Sequence, residues 1–344
     1  MKIIVKKIVC IFLCLGLICT VIDLPEKVSG ETTTDSVLYR YMGEQNEKYG
    51  FVNKNGKIVV KAIYDEVGKF SDGLAVVRKG SKSGYIDTTG KIVIPLQYES
   101  ASDFSDGLAV VGIKNKCYFI KTNGEQAFDS IYTMAYEFSD GLAPVKIKDK
   151  FGYINTNGEL VIPAKYNWAY PFSEQRAFVI KGDDKLVIDT EGKIITKYVD
   201  DTERSDFSDG YAIIQKKGKY GYIDKDGKIV IKPSSKWYYV ERFSEGLAVY
   251  WEGPKSFESG YGYINKKGKI AIKPIYSQAY DFSEGLACVQ NGKTNKYGFI
   301  NKKGKQVIKC QYDYALSFEN GLACVWKDGK TYMINKKGKK ITIK

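Results

Sequence analysis

The chain has 344 residues, 53 Lys and Arg against 40 Asp and Glu, a formal charge of +13, 14% aromatic residues and no histidine. The lack of histidine removes the commonest general base and metal ligand, and with them Ser-His-Asp, Cys-His and zinc-peptidase schemes. Seven cysteines in so long a chain make no disulfide framework, because such scaffolds are short and Cys-dense, and this length buries a large core without staples.

Lys2, Lys6 and Lys7 precede an apolar run from Ile8 to Ile22, the positive and hydrophobic regions of a signal peptide. The run is shorter than the roughly 18 to 20 residues of a membrane span. Val28-Ser29-Gly30 places small residues where a signal peptidase reads, so residues 1–30 are expected to leave after Gly30, with an uncleaved anchor as the alternative. That segment holds Lys2, Lys6, Lys7 and Lys27 against Asp23 and Glu26, so +13 less +2 leaves +11 on the mature chain. Cys117, Cys288, Cys310 and Cys324 remain; Cys288 and Cys324 sit in Gly-Leu-Ala-Cys-Val, where earlier copies have Val76, Val110 and Val249, and read as buried hydrophobes not bonded to each other. Residues 31–36 are a polar, Thr-rich linker, and Val37 to Met42 begins the body of the chain at 37–344 as a degenerate strand.

From there one pattern repeats. Gly56, Gly90, Gly124, Gly158, Gly192, Gly227, Gly268, Gly304 and Gly338 recur at a step of about 34 residues, in the range of repeat architectures. Phe-Ser-[Asp/Glu]-Gly keeps time with them at Phe70, Phe104, Phe138, Phe207, Phe243, Phe282 and, as Phe-Glu-Asn-Gly, at Phe318, with a damaged copy at Phe172-Ser173-Glu174-Gln175. Each copy reads as three short strands: Gly73 to Arg78, Tyr85 to Asp87 and Lys91 to Pro95. The [Asp/Asn]-x-x-Gly between the last two suits a hairpin loop with a type I turn and a left-handed glycine. In Phe-Ser-[Asp/Glu]-Gly the acid is expected to accept from its own backbone before a left-handed glycine. A repeated calcium site is not expected, because these loops lack dense oxygen ligands, and no cofactor is implied. The strands are apolar at consecutive positions, so both faces are covered. The fold is therefore all-β, about nine three-stranded antiparallel meanders stacked face to face as an open superhelix or propeller-like array. Nine exceeds the four to eight blades usual in closed propellers, and no split blade is evident, which favours the open form and leaves a closed ring as the alternative.

These motifs resemble the bacterial WG-repeat (KWG-repeat) proteins, whose unit runs roughly Trp-Gly-[Phe/Tyr]-Ile-[Asp/Asn]-x-x-Gly-Lys-x-Val-Ile-x-Pro, followed by [Tyr/Phe]-[Asp/Glu]-x-Ala-x-x-Phe-Ser-[Glu/Asp]-Gly-Leu-Ala-x-Val. The match runs from Tyr49 to the C-terminus. The signature Trp is replaced by Tyr49, Phe151, Tyr220, Tyr261 and Tyr297, and by Ser83, Cys117, Lys185 and Thr331. The resemblance implies a β-rich tandem repeat and no particular chemistry.

Departures from the repeat are the candidate sites. The insertion Trp251 to Gly260 lengthens a turn and brings Trp251 and Phe257 beside Tyr261, a placement suited to binding on a rigid scaffold. Lysines crowd hairpin tips at Lys266-Lys267-Gly268 and Lys302-Lys303-Gly304, which would form a basic ridge if the tips align. Tyrosines recur at Tyr64, Tyr98, Tyr132, Tyr166, Tyr276 and Tyr312, either packed between units or stacking on sugars. The chain is thus expected to be a monomeric, non-enzymatic scaffold, secreted or envelope-associated, whose partner is an anionic wall polymer, a glycan or a surface protein. Nucleic acid is not an expected partner, and no membrane span is expected once the signal is removed. The alternative is a secreted carbohydrate-active enzyme using a carboxylate pair.

Overall fold

A computed structural model describes residues 37–43, 48–198, 206–253 and 260–344. The expected signal segment 1–30, the linker 31–36 and Phe257 lie outside the described residues. All regular structure in the described residues is β.

Two units set the pattern. β1 (Leu38–Met42), β2 (Tyr49–Asn53) and β3 (Ile58–Tyr64) form one antiparallel meander; β4 (Glu66–Val67), β5 (Leu74–Lys79), β6 (Lys82–Asp87) and β7 (Ile92–Tyr98) form the next. The three strands read from the sequence are present, and a short fourth precedes them from the second unit on: Glu66 pairs with Arg78 and Val67 with Val77. Further units follow at 100–132, 135–166, 168–198, 206–234, 239–276, 276–312 and 314–342, giving nine blades among the described residues. Blades 7 and 8 share the strand Ile270–Ala279, so their sheets join; the others stay separate and no barrel forms.

Consecutive apolar residues are used on both faces. Leu74, Tyr85 and Ile94 of blade 2 pack against Ala109, Val111 and Ile120 of blade 3, while Ala75, Val77 and Ile86 pack against Phe51, Val60 and Tyr64 of blade 1. The Phe of each Phe-Ser-[Asp/Glu]-Gly turn lies on an aromatic ring of the preceding blade, as in Phe104 on Tyr85 at 4.8 Å, Phe282 on Tyr263 at 4.9 Å and Phe318 on Phe299 at 4.7 Å between centroids. Where that ring is Tyr, its hydroxyl donates to a backbone carbonyl of the next blade: Tyr85 to Ser102 at 2.8 Å, Tyr153 to Tyr170 at 2.8 Å, Tyr222 to Glu241 at 2.7 Å and Tyr263 to Tyr280 at 2.9 Å. Cys288 and Cys324 are free and buried at equivalent positions, and burial pushes each thiol up to about 12.

The glycine that follows the signature position has a steric cause. A Cβ on Gly84 would stand 2.6 Å from both Ile94 O and Pro95 O, because the outer strand bulges against β6 between Ser83↔Tyr98 and Tyr85↔Ile94. In blade 5 Leu186 takes this place, and there the outer strand pairs in continuous register from Lys185↔Tyr198 to Val187↔Thr196. The outer strands also carry the prolines Pro95, Pro163 and Pro274, which an edge strand tolerates.

The array closes, against the expectation of an open superhelix. Tyr39, Tyr41 and Val52 of blade 1 share a core with Leu322, Cys324 and Met333 of blade 9. Ile58 N–H donates to Lys344 O at 2.9 Å, Lys344 N–H to Gly56 O at 2.8 Å, and the Tyr39 hydroxyl to Asn320 O at 2.9 Å. A split blade is unnecessary because blades 1 and 9 bury apolar faces against each other as the other blades do, and an open end would leave such a face in water.

Gly56 makes the closure testable. Its φ is +78°, and a Cβ would come within 2.2 Å of Thr342 O, whereas Gly107, at φ +79°, has open space around it. We expect Gly107→Ala to cost only the left-handed strain of about 1–2 kcal/mol, and Gly56→Ala to cost clearly more, measured by urea unfolding. The buried tyrosines make a second test. Burial, the largest cause, raises Tyr85, Tyr153, Tyr222 and Tyr263 well above the ordinary phenol value. Folding thus favours the neutral phenol, so its contribution is full below pH 10 and is lost as pH climbs from there towards the folded values. The unfolding free energy from urea titration should fall between pH 9 and pH 11, by up to about 1.4 kcal/mol per group per pH unit.

Candidate binding face

The Phe-Ser-[Asp/Glu]-Gly turn and the [Asp/Asn]-x-x-Gly tip lie at the same end of each blade, since Leu74 pairs with Asp87. The tip forms as its sequence implies: Asp87 Oδ1 accepts from Thr89 N at 2.9 Å and Lys91 N at 3.0 Å, and Gly90 has φ +86°. The other turn is a two-residue loop with both central residues left-handed, Asp72 at φ 51° and Gly73 at φ 80°, the type I′ geometry. Its acid does not serve its own backbone. Ser71 and Leu74 already bond each other in both directions, which leaves the Gly N–H pointing outward, and the carboxylate of the preceding blade takes it. Asp72 accepts from Gly107 N at 3.0 Å, Asp106 from Gly141 N at 3.0 Å, Glu174 from Gly210 N at 2.8 Å and Glu284 from Gly321 N at 2.9 Å. The damaged copy keeps the contact: Gln175, at φ 66°, donates its N–H to Asp140 at 2.6 Å.

The lysine tips divide between two duties. The first lysine of each tip turns back onto the preceding blade: Lys302 Nζ is 3.0 Å from Glu245, Lys336 Nζ is 2.9 Å from Glu284, and Lys266 Nζ donates to Asp209 O at 2.6 Å while lying 5.3 Å from the Tyr211 ring centroid. The second, Lys267, Lys303 or Lys337, is exposed, as are Lys269, Lys305 and Lys339. Closure sets exposed Lys57 of blade 1 next to blade 9, so the basic tips of blades 7, 8, 9 and 1 are consecutive round one face. The tips of blades 3, 4 and 5 instead carry Glu125, Glu159 and Glu191.

A profile of the WG containing repeat matches this chain eight times, at residues 49–82, 84–117, 119–151, 151–184, 187–220, 220–250, 261–294 and 297–330. The chain belongs to the WG-repeat family. Among curated proteins none matches the sequence. Of solved structures, a eukaryotic initiation factor is 9% identical with a TM-score of 0.61, covering 88% of this chain and 94% of its own, a likeness of fold alone. Apo AztD from Citrobacter koseri is 11% identical with a TM-score of 0.43, covering 75% and 90%.

The WG signature position acts between blades. Phe151 lies 5.3 Å from Trp168, Tyr220 5.9 Å from Tyr239 and Tyr297 5.4 Å from Tyr314, each partner standing on the short inner strand of the next blade. Where the aromatic is absent, Ser83 and Thr331 are buried instead. Tyr261 belongs to this row and stacks on Trp251, centroids 6.1 Å apart at 20°, with Tyr238 edge-on to Trp251 at 5.0 Å. Trp251 pairs with Tyr261 at one end of the hairpin and Leu247 with Asn265 at the other. The aromatic candidates and the lysine candidates of this repeat are therefore about 13 Å apart along the strands, and they do not form one site. Of the tyrosine row, Tyr64, Tyr98, Tyr132, Tyr166 and Tyr312 are buried between blades and Tyr276 is half-buried, so the row offers no continuous sugar platform.

Sequence reasoning missed the blade-variable row just before the turn Phe. Asp103, Glu137 and Asp206, from blades 3, 4 and 6, with Pro171 of blade 5 line a single cavity of about 560 Å³ together with Ser102, Ser105, Ser139 and Ser173. Residues of four successive blades meet only at the axis. Burial, the largest cause, raises the Asp103 carboxyl above its usual range. The signal was present as variation: Lys69, Asp103, Glu137, Pro171, Asp206, Arg242 and Asp281 share a row whose chemistry the fold leaves open.

These duties separate by substitution. We expect Lys303→Gln to change stability by no more than about 0.5 kcal/mol. Glu245→Ala, which strips the acceptor of Gly285 N and the partner of Lys302, should cost about 1 kcal/mol, both read from urea midpoints.

Proposed function

We propose that this WG-repeat protein is an exported, non-catalytic scaffold that holds anionic polymer of the producing cell's envelope along the basic arc of blades 7, 8, 9 and 1. The observation that carries this reading is the pairing pattern at the tips. One lysine of each tip is consumed by the neighbouring blade, and the next stands exposed at the same place in successive blades. Charges fixed at blade spacing suit a polyanion, because many weak contacts on one rigid body add into avidity. The signal-like first segment and the net positive charge of the mature chain support the compartment and the sign of the partner.

The experiment measures retention of the mature chain on purified anionic wall polymer as salt rises from 0.1 to 1 M, over which the Debye length falls from about 10 Å to about 3 Å. Retention should fall steeply, and Lys267→Gln, Lys303→Gln and Lys337→Gln together should halve it or more at low salt. Retention indifferent to both salt and substitution overturns the charge reading. A second reading rests on the axial carboxylates. Asp103, whose carboxyl burial raises, and Glu137 line one cavity, and a glycan hydrolase employs two carboxyl groups of which the acid is raised in this way; release of reducing ends from wall glycan, abolished by Asp103→Asn, would favour it.

A further inference from the structure

The exposed lysines of the basic arc share a spacing as well as a sign. In blades 7, 8 and 9 the tip carries an exposed lysine on each side of its glycine: Lys267 and Lys269, Lys303 and Lys305, Lys337 and Lys339. Their backbones are superposable in bonding, since each pair donates both N–H groups to the Asn that opens the loop. Lys267 and Lys269 reach Asn265 Oδ1 at 3.0 and 3.1 Å, Lys303 and Lys305 reach Asn301 Oδ1 at 3.0 Å, and Lys337 and Lys339 reach Asn335 Oδ1 at 3.0 and 2.9 Å. Each tip is also seated on the blade before it. A Cβ on Gly268, Gly304 or Gly338 would meet Ile231, Ile272 or Ile308 at 3.1, 3.3 and 3.5 Å, and Lys302 and Lys336 clamp onto Glu245 and Glu284. The step between tips is therefore the blade spacing, about 10 Å for sheets packed face to face and more where blades splay outward. Among the described residues none of the six lysines is in an ion pair.

The arc has ends and a composition. Lys57 extends it into blade 1, while the second tip position is Asp226 in blade 6 and Thr89 in blade 2. No tip carries arginine. Lysine offers a compact point charge without the planar fork that grips a carboxylate in two parallel bonds, so the arc reads charge density and spacing. Two lysines per step of about 10 Å match a densely charged chain, and a sparsely charged one leaves many of them without a counter-charge. Taking the proposed polyanionic partner as given, we propose that the arc takes a linear, phosphate-bearing chain laid along the circumference from blade 7 to blade 1, and that it selects by length. A chain too short to reach from one tip to the next gains nothing from the second tip, whereas a longer one meets each further tip at a high effective concentration.

The mature chain beginning at Glu31 is titrated at about 0.1 M salt with tripolyphosphate, with polyphosphate of about 45 phosphates, and with hyaluronate, whose carboxylates are sparse. Long polyphosphate should bind at least tenfold tighter per phosphate than tripolyphosphate, and hyaluronate should bind at least tenfold more weakly than long polyphosphate. Lys303→Gln with Lys305→Gln, which interrupts the arc at its middle, should cost long polyphosphate at least tenfold. Lys193→Gln with Lys228→Gln removes the same charge outside the arc and should cost less than twofold. Binding independent of length, hyaluronate as tight as polyphosphate, or equal losses in the two variants overturns the proposal. If any of these is seen while wall polymer is still released by salt and by the triple lysine substitution, the polyanionic partner stands and selection by length and phosphate falls; if wall retention ignores charge as well, both fall.

Discussion

Blades 2 to 9 are each held to the blade before by one compound contact, the turn Phe laid on an aromatic ring of that blade, with, from blade 3 on, a carboxylate closing over the top. The ring pair supplies most of the energy: burying a Phe is worth about 2–3 kcal/mol, and the tilted or edge-on pairing adds about 0.5–1.5 kcal/mol. The carboxylate supplies direction. Glu284 reaches Gly321 N only if the turns of blades 8 and 9 lie at one height, so slippage along the strands would forfeit every such bond. Burial drives the stacking, and the hydrogen bonds fix its register.

Repetition of that contact accounts for the closure. In a nearest-neighbour array each interior blade buries two faces, while the end blades of an open array bury one. Blade 9 would then present Leu322, Cys324 and Met333 to water, and blade 1 would present Tyr39, Tyr41 and Val52; ring closure buries all six together. The same tip geometry serves at the seam as elsewhere, with Gly56 seated against Thr342 of blade 9 as Gly304 is seated against Ile272 of blade 7. At the seam the tip of blade 1 also bonds blade 9 through the backbone, Ile58 N–H to Lys344 O and Lys344 N–H to Gly56 O.

How much of this was legible depended on whether a residue's role is local. The tip loops were, because Asp87 or Asn265 opening a turn and Gly90 or Gly268 accepting positive φ are decided within five residues. Face-to-face stacking was legible from runs such as Leu74 to Val77, which demand cover on both sides. The acid of the other turn was misassigned because Asp72 answers to Gly107, a residue in the next blade that no local pattern names. The inner strand escaped notice since Glu66–Val67 is too short to show a period. Closure was illegible for a related reason: Ile58 and Lys344 are almost the full array apart in sequence and become neighbours only when nine equal steps return to the start.

Sorting rows by structural duty then shows where function has room. The turn Phe, the turn acid and the tip glycine are committed to the neighbouring blade, and they repeat. Two rows vary instead. The axial row runs from Lys69 through Asp103, Glu137 and Pro171 to Arg242, where Lys69 pairs with Glu319 at 3.4 Å and Arg242 with Asp281 at 3.0 Å, while Asp103 and Glu137 face the cavity. The second tip position runs from Thr89 and Asn157 to Lys267, Lys303 and Lys337. Its lysines fall in consecutive blades, which a solubilising role would not require, since scattered charge solubilises as well. A WG-repeat ring thus keeps its fold in the rows that repeat and leaves its surface chemistry to the rows that vary.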